Sequence, residues 1–130
     1  MELKRSFSGS PWEPKVGYCR AIKAGRHIYV SGTAPLDSRG EVYGPENHYE
    51  QTKRCLEIIQ KALRELGGDL KNVMRTRMFV TDISKWQEYG RAHQEFFAEN
   101  PPATTMVEVK ALISPLMLIE VEVEALLIED

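Results

Sequence analysis

The segment Met117–Ile128, MLIEVEVEALLI, decides how the rest of the chain is read. Ile119, Val121, Val123 and Ala125 alternate with Glu120, Glu122 and Glu124, the period of two that marks a strand with one face in a core. The other face is a ladder of carboxylates spaced about 7 Å along the strand, which repel one another unless neighbours neutralise them. Arg75 and Arg77 alternate in the same way within Val73–Thr81 and are the natural partners on an adjacent strand. A sheet with one apolar and one charged face needs helices on the apolar side only.

Those helices are visible upstream. Thr52, Cys55, Leu56, Ile59, Ala62, Leu63 and Leu66 recur at helical spacing, with Asn47 and Glu50 placed to cap the start and Gly67–Gly68 to end the helix. A second apolar stripe, Trp86, Tyr89, His93, Phe96 and Phe97, follows a capping box expected from Ser84 and Gln87, and Pro101–Pro102 stop it. Tyr18–Ala24 and His27–Ser31 flank the two-residue connection Gly25–Arg26, a hairpin pattern. The expected order is strand pair, helix, strand, helix, strand pair: an α+β sandwich, one domain over residues 1–130.

Composition narrows the function. A net charge of −2, 42% hydrophobic residues and 28% charged residues describe an ordinary globular chain, so nucleic acid is not an expected partner. Cys19, Cys55 and the three histidines show no ligand spacing, and no metal is expected. Met1–Ser10 carries no secretion signal and no stretch approaches the ~20 apolar residues of a membrane span, so the expectation is a cytoplasmic protein with no membrane partner. The chain lacks a G-x-S-x-G elbow, a Walker loop and a dinucleotide fingerprint. His93, on an apolar helix face, reads as a core histidine, and Trp86, Phe96 and Phe97 read as core.

Four stretches, VGYCRAIKAGRHIYVSGTAPLD, QTKRCLEIIQKALRELGGDLKNVMRTRMFVTDISKW, PATTMVEV and IEVEVEAL, together resemble the RidA/YjgF family of enamine/imine deaminases, from Val16 to Leu127. The resemblance implies a chorismate-mutase-like fold with one mixed sheet and two helices on one face. It also implies a homotrimer with small-molecule pockets in the clefts between subunits, and hydrolysis of imines to oxo acid and ammonia without a cofactor. Position by position, it places the pocket tyrosine at Tyr18, a backbone wall at Ser31 and Gly32, and the water-activating glutamate at Glu122. The family's carboxylate-binding arginine falls at Thr104. A small polar wall residue becomes Met106, and a pocket asparagine falls at Gly90.

Threonine offers one neutral hydroxyl where a guanidinium offers a bidentate, charge-assisted fork, so a ligand carboxylate is poorly held at Thr104. By alternation Arg20 shares a face with Tyr18 and is the first candidate for a relocated cation, with Arg77 second; both are also placed to pair with the glutamate ladder. Two classes of function follow. One is a hydrolase for a reactive imine, enamine or related metabolite, with Glu122 as base and Tyr18 orienting the substrate, weak on 2-aminoacrylate-type imino acids. The other is a non-catalytic, metabolite-binding or regulatory trimer.

Overall fold

The computed structural model describes residues 2–128 and shows one six-stranded mixed sheet with its two long helices on one face. Its elements in chain order are β1 (Leu3–Ser6), α1 (Trp12–Val16), β2 (Ala21–Ala24), β3 (His27–Thr33), α2 (His48–Glu65), β4 (Val73–Val80), α3 (Trp86–Phe97), β5 (Ala103–Glu108) and β6 (Ile119–Leu126). The strands lie in the order β1-β2-β3-β6-β4-β5. β2 and β3 form the hairpin about Gly25–Arg26, with Ala24 opposite His27 and Gly25 at φ 63°, the left-handed turn conformation that glycine adopts freely.

The core lies where the periodicities placed it. Ile119, Val121, Val123 and Ala125 of β6 are buried beneath α2, which contributes Cys55, Leu56, Ile59 and Leu63. The Asn47 side chain accepts from the Glu50 backbone N–H at 2.9 Å and starts α2. No helix among the described residues is long and apolar enough to cross a membrane.

Four expectations are corrected. The closing strands do not pair with each other: β4 lies between them, antiparallel to β6 and parallel to β5, because α3 carries the chain across as a β-α-β crossover. The cap before α3 is Asp82, which accepts from the Ser84 N–H of a 3-10 turn at Ile83–Lys85; α3 itself has no side-chain cap. Trp86 is 56% exposed, since this turn lifts the start of the helix off the sheet, whereas Tyr89 and Phe97 are buried. Finally, the amino-terminal residues supply β1 and α1, and pairing in β2 begins only at Ala21, so Arg20 lies outside the strand whose alternation would aim it at the ladder.

Candidate functional site

The site is built where β3 breaks register with β6. Val30 lies opposite Val123 and Thr33 opposite Val121, so three steps along β3 match two along β6. The extra residue bulges Ser31 and Gly32 out of the ladder and turns their backbone groups toward new partners. Ser31 N–H donates to the Arg20 carbonyl at 2.9 Å and Ser31 Oγ to the Cys19 carbonyl at 2.9 Å, tying the bulge to the lead-in of β2.

Arg20 locks the arrangement. Its guanidinium is 3% exposed and donates to Glu13 Oε2 at 3.1 Å, the Gly32 carbonyl at 2.7 Å, Thr33 Oγ1 at 3.0 Å and Tyr18 Oη at 3.2 Å. Glu13, 2% exposed, also accepts from the Ser8 backbone N–H and hydroxyl. Arg20 therefore pairs with Glu13 and not with the ladder: its charge is neutralised inside the chain and its donors hold Tyr18 and the bulge.

Of the three ladder carboxylates, Glu122 and Glu124 are engaged. Arg77 Nη1 lies 3.0 Å from Glu122 and 3.4 Å from Glu124, and Arg75 Nε lies 3.8 Å from Glu124. Among the described residues neither hydrogen bond nor ion pair engages Glu120. It lies over the bulge, so close that a Cβ added to Gly32 would stand 2.2 Å from Glu120 Oε1. Burial raises the Glu120 carboxyl above the usual carboxylate range; Arg20 pulls it back and Glu122 adds to the rise. Tyr18, Arg20, Ser31, Gly32, Glu120 and Glu122 all line one cavity of about 1020 Å³, a size that suits a small metabolite together with water.

The remaining expected site residues lie elsewhere. Thr104 and Met106 are on edge strand β5; Met106 packs against the core, and the exposed Thr104 turns its hydroxyl toward the helix-covered side. There Thr104 Oγ1 lies 2.8 Å from Thr76 Oγ1, which lies 2.9 Å from His93 Nε2. Gly90, one turn before His93 on α3, borders open space, with nothing within 4 Å of an added Cβ. Burial depresses the proton affinity of His93. With β6 and β4 between β3 and β5, the two groups stand about 14 Å apart by strand spacing alone and use opposite sheet faces. Within one chain the two groups do not meet.

Residue patterns did not single out Glu13, Thr76 or the bulge, and Glu120 entered only as a rung of the ladder. Periodicity could not separate Glu120 from Glu122, because the bulge that exposes one beside Gly32 belongs to the neighbouring strand.

Residues 9–127 match the family model described as endoribonuclease L-PSP. An uncharacterised protein of Streptomyces coelicolor is 38% identical over 124 residues, covering 95% of this chain and 91% of that protein. The 3-aminoacrylate deaminase RutC of Acinetobacter baylyi is 35% identical over 113 residues, 87% and 88% of the two chains. The crystal structure of a Mycobacterium tuberculosis member of the YjgF/YER057c/UK114 family superposes with a TM-score of 0.88 at 40% identity, covering 97% of this chain and 100% of that one. The chain belongs to the endoribonuclease L-PSP family, the RidA/YjgF proteins.

Proposed function

We propose that the chain is a Rid-type hydrolase that converts a reactive imine or enamine to a carbonyl compound and ammonia, in a cleft completed by a second copy within a homotrimer. The observation that carries the reading is the Glu120 carboxylate, unengaged and raised in proton affinity by burial, lying over Gly32 in a cavity walled by Tyr18. A carboxylate whose pKa is shifted toward neutrality is a better base for water. Glu122, the position expected from the motif, sits two residues on in the same cavity but is committed to Arg77, so Glu120 takes the base role and Glu122 the second place.

The chemistry follows from the positions. Tyr18 Oη accepts from Arg20, which leaves its own hydroxyl hydrogen free to donate to the substrate. Glu120 takes a proton from water as the oxygen adds to the C=N carbon, and the Tyr18 hydroxyl gives its proton to the imine nitrogen, leaving an amine and a new hydroxyl on a tetrahedral carbon. Glu120 then passes its proton to that amine, the C–N bond breaks, and ammonia leaves as the hydroxyl proton returns to the Tyr18 oxygen and the carbonyl forms. An enamine enters the same path once protonated on carbon to its imine. The similarity to a 3-aminoacrylate deaminase supports the C–N bond as the one cleaved.

The single chain leaves the cleft incomplete. Thr104, Met106 and Gly90 can face Tyr18 and Glu120 only if another copy presents its β5 edge to the β3 bulge, and cyclic symmetry closes such a head-to-tail contact. With Thr104 at the clamp position, 2-aminoacrylate-type imino acids are poor substrates. That same substitution favours the second reading, a trimer that binds a metabolite without turning it over. Ammonia release from imino acids and neutral imines generated in place, measured beside Glu120→Gln and with mass by light scattering, tests the proposal. Turnover lost in Glu120→Gln supports it; no ammonia from any of them moves the binding reading ahead.

A further inference from the structure

The side chains at the missing clamp form a connected set. Thr76 Oγ1, wholly buried on β4, stands between His93 Nε2 at 2.9 Å and Thr104 Oγ1 at 2.8 Å. Direct contacts from Thr104 to His93 and to the Pro102 carbonyl are both 3.5 Å, too long to hold its proton. The proton order in this chain has two forms. With His93 Nε2 as acceptor, Thr76 donates to it and Thr104 donates to Thr76, so Thr104 turns only lone pairs outward. With the proton on Nε2, the imidazole donates to Thr76, Thr76 donates to Thr104, and the Thr104 hydroxyl hydrogen points outward. Switching between them moves only hydrogens.

We propose that His93, Thr76 and Thr104 form a tautomer-switched reader for an uncharged polar group, such as a carboxamide, at the position where an arginine would take a carboxylate; this rests on the composite site proposed above. Thr104 is the contact and Thr76 and His93 are positioning residues. A carboxamide N–H meets the first form and its C=O meets the second, so either end of the group is satisfied. A carboxylate needs several donors, and this chain offers one neutral hydroxyl beside an imidazole that burial keeps uncharged at neutral pH.

Pyruvamide and pyruvate, a neutral and an anionic product-like pair of the same size, are the probes. Binding to the full, ¹⁵N-labelled chain is followed by calorimetry and by the His93 ring nitrogen shifts. Pyruvamide is expected to bind at least about tenfold more tightly than pyruvate and to move the His93 resonances, because one neutral hydroxyl replaces a charge-assisted fork. Thr76→Val, which cuts the chain, should weaken pyruvamide by about two- to tenfold, the span of one net hydrogen bond. Thr76→Ser should keep the wild-type order. Thr104→Arg should reverse it. Equal or tighter binding of pyruvate by the wild type, pyruvamide binding that leaves His93 unmoved, or no binding of either overturns the inference, and the first two need no variant to fold. Pyruvamide preference without ammonia release from any imine sustains the reader and removes the hydrolase. Pyruvamide binding at His93 in a monomer sustains it and removes the composite site.

Discussion

Gly32→Ala isolates position from charge at the proposed base. The added Cβ would meet Glu120 Oε1 at 2.2 Å and Cδ at 3.0 Å, and an ordinary contact is at least 3.4 Å, so the oxygen has to retreat by about 1.2 Å. The obstacle is the far end of a flexible side chain, and Gly32 does not hold a positive φ. The fold therefore yields at Glu120 rather than at the backbone. The stability change is expected within about 1 kcal/mol, helped by the smaller unfolded-state entropy of alanine. The rate responds far more, because a misplacement of about 1 Å at a reacting group costs on the order of 100-fold. Ammonia-release kinetics and urea unfolding of the same preparation check both halves. Wild-type turnover in a folded Gly32→Ala chain would refute Glu120 as the base, since no carboxylate displaced this far could still reach the same water.

Four further variants have expected outcomes of their own. Glu120→Gln should lower turnover by about 100-fold or more yet raise the melting temperature at neutral pH. The folded pKa lies above the unfolded one, so stability is lost as pH rises from about 4.5 through the folded value, and glutamine has no such loss; parallel pH-melting curves for the two chains would refute this. His93 has the opposite sign of effect, since its folded pKa is depressed: stability present above the unfolded value of about 6.5 is lost as pH falls toward the folded one, and His93→Gln should flatten that acid limb in urea midpoints. Glu13→Gln strands the buried Arg20 charge and should cost about 3–5 kcal/mol in urea unfolding, whereas Arg77→Ala, at a half-exposed pair, should cost no more than about 1 kcal/mol in any unassembled chain.

What was legible in the sequence was whatever has a period. The stripe of α2, the alternation of β6 and the hairpin at Gly25–Arg26 each repeat one rule over many residues, and the sheet with one charged face followed from them. The strand order was less legible, because a parallel crossover through α3 leaves the same local pattern as an antiparallel return. The site was legible only in part. Tyr18, Ser31 and Gly32 came through a motif, but the bulge beside them is one extra residue that changes no composition. Alternation puts Arg20 beside Tyr18, where it lies, but does not reach its ion pair, because the strand starts only at Ala21 and the partner Glu13 belongs to a helix of five residues with no apolar period to announce it. Thr76, His93 and Thr104 come from three elements, and only the fold makes them neighbours.

The proton affinity of Glu120 depends on how Arg20 is neutralised. A full guanidinium charge beside a half-buried carboxylate would hold it ionised and lower its basicity. Here Glu13 accepts from Arg20 Nε at 3.1 Å, while the remaining donors are taken by Gly32, Thr33 and Tyr18. Burial of Glu120 outweighs the pull that Arg20 still exerts, Glu122 adds to the rise, and the carboxyl moves up. Arg77 similarly draws Glu122 and Glu124 to itself, leaving Glu120, among the described residues, as the rung of the ladder without an ion-pair partner. Arg20 and Arg77 are thus each matched by a carboxylate other than Glu120, and this pairing sets one rung of a repetitive ladder apart as the proposed base.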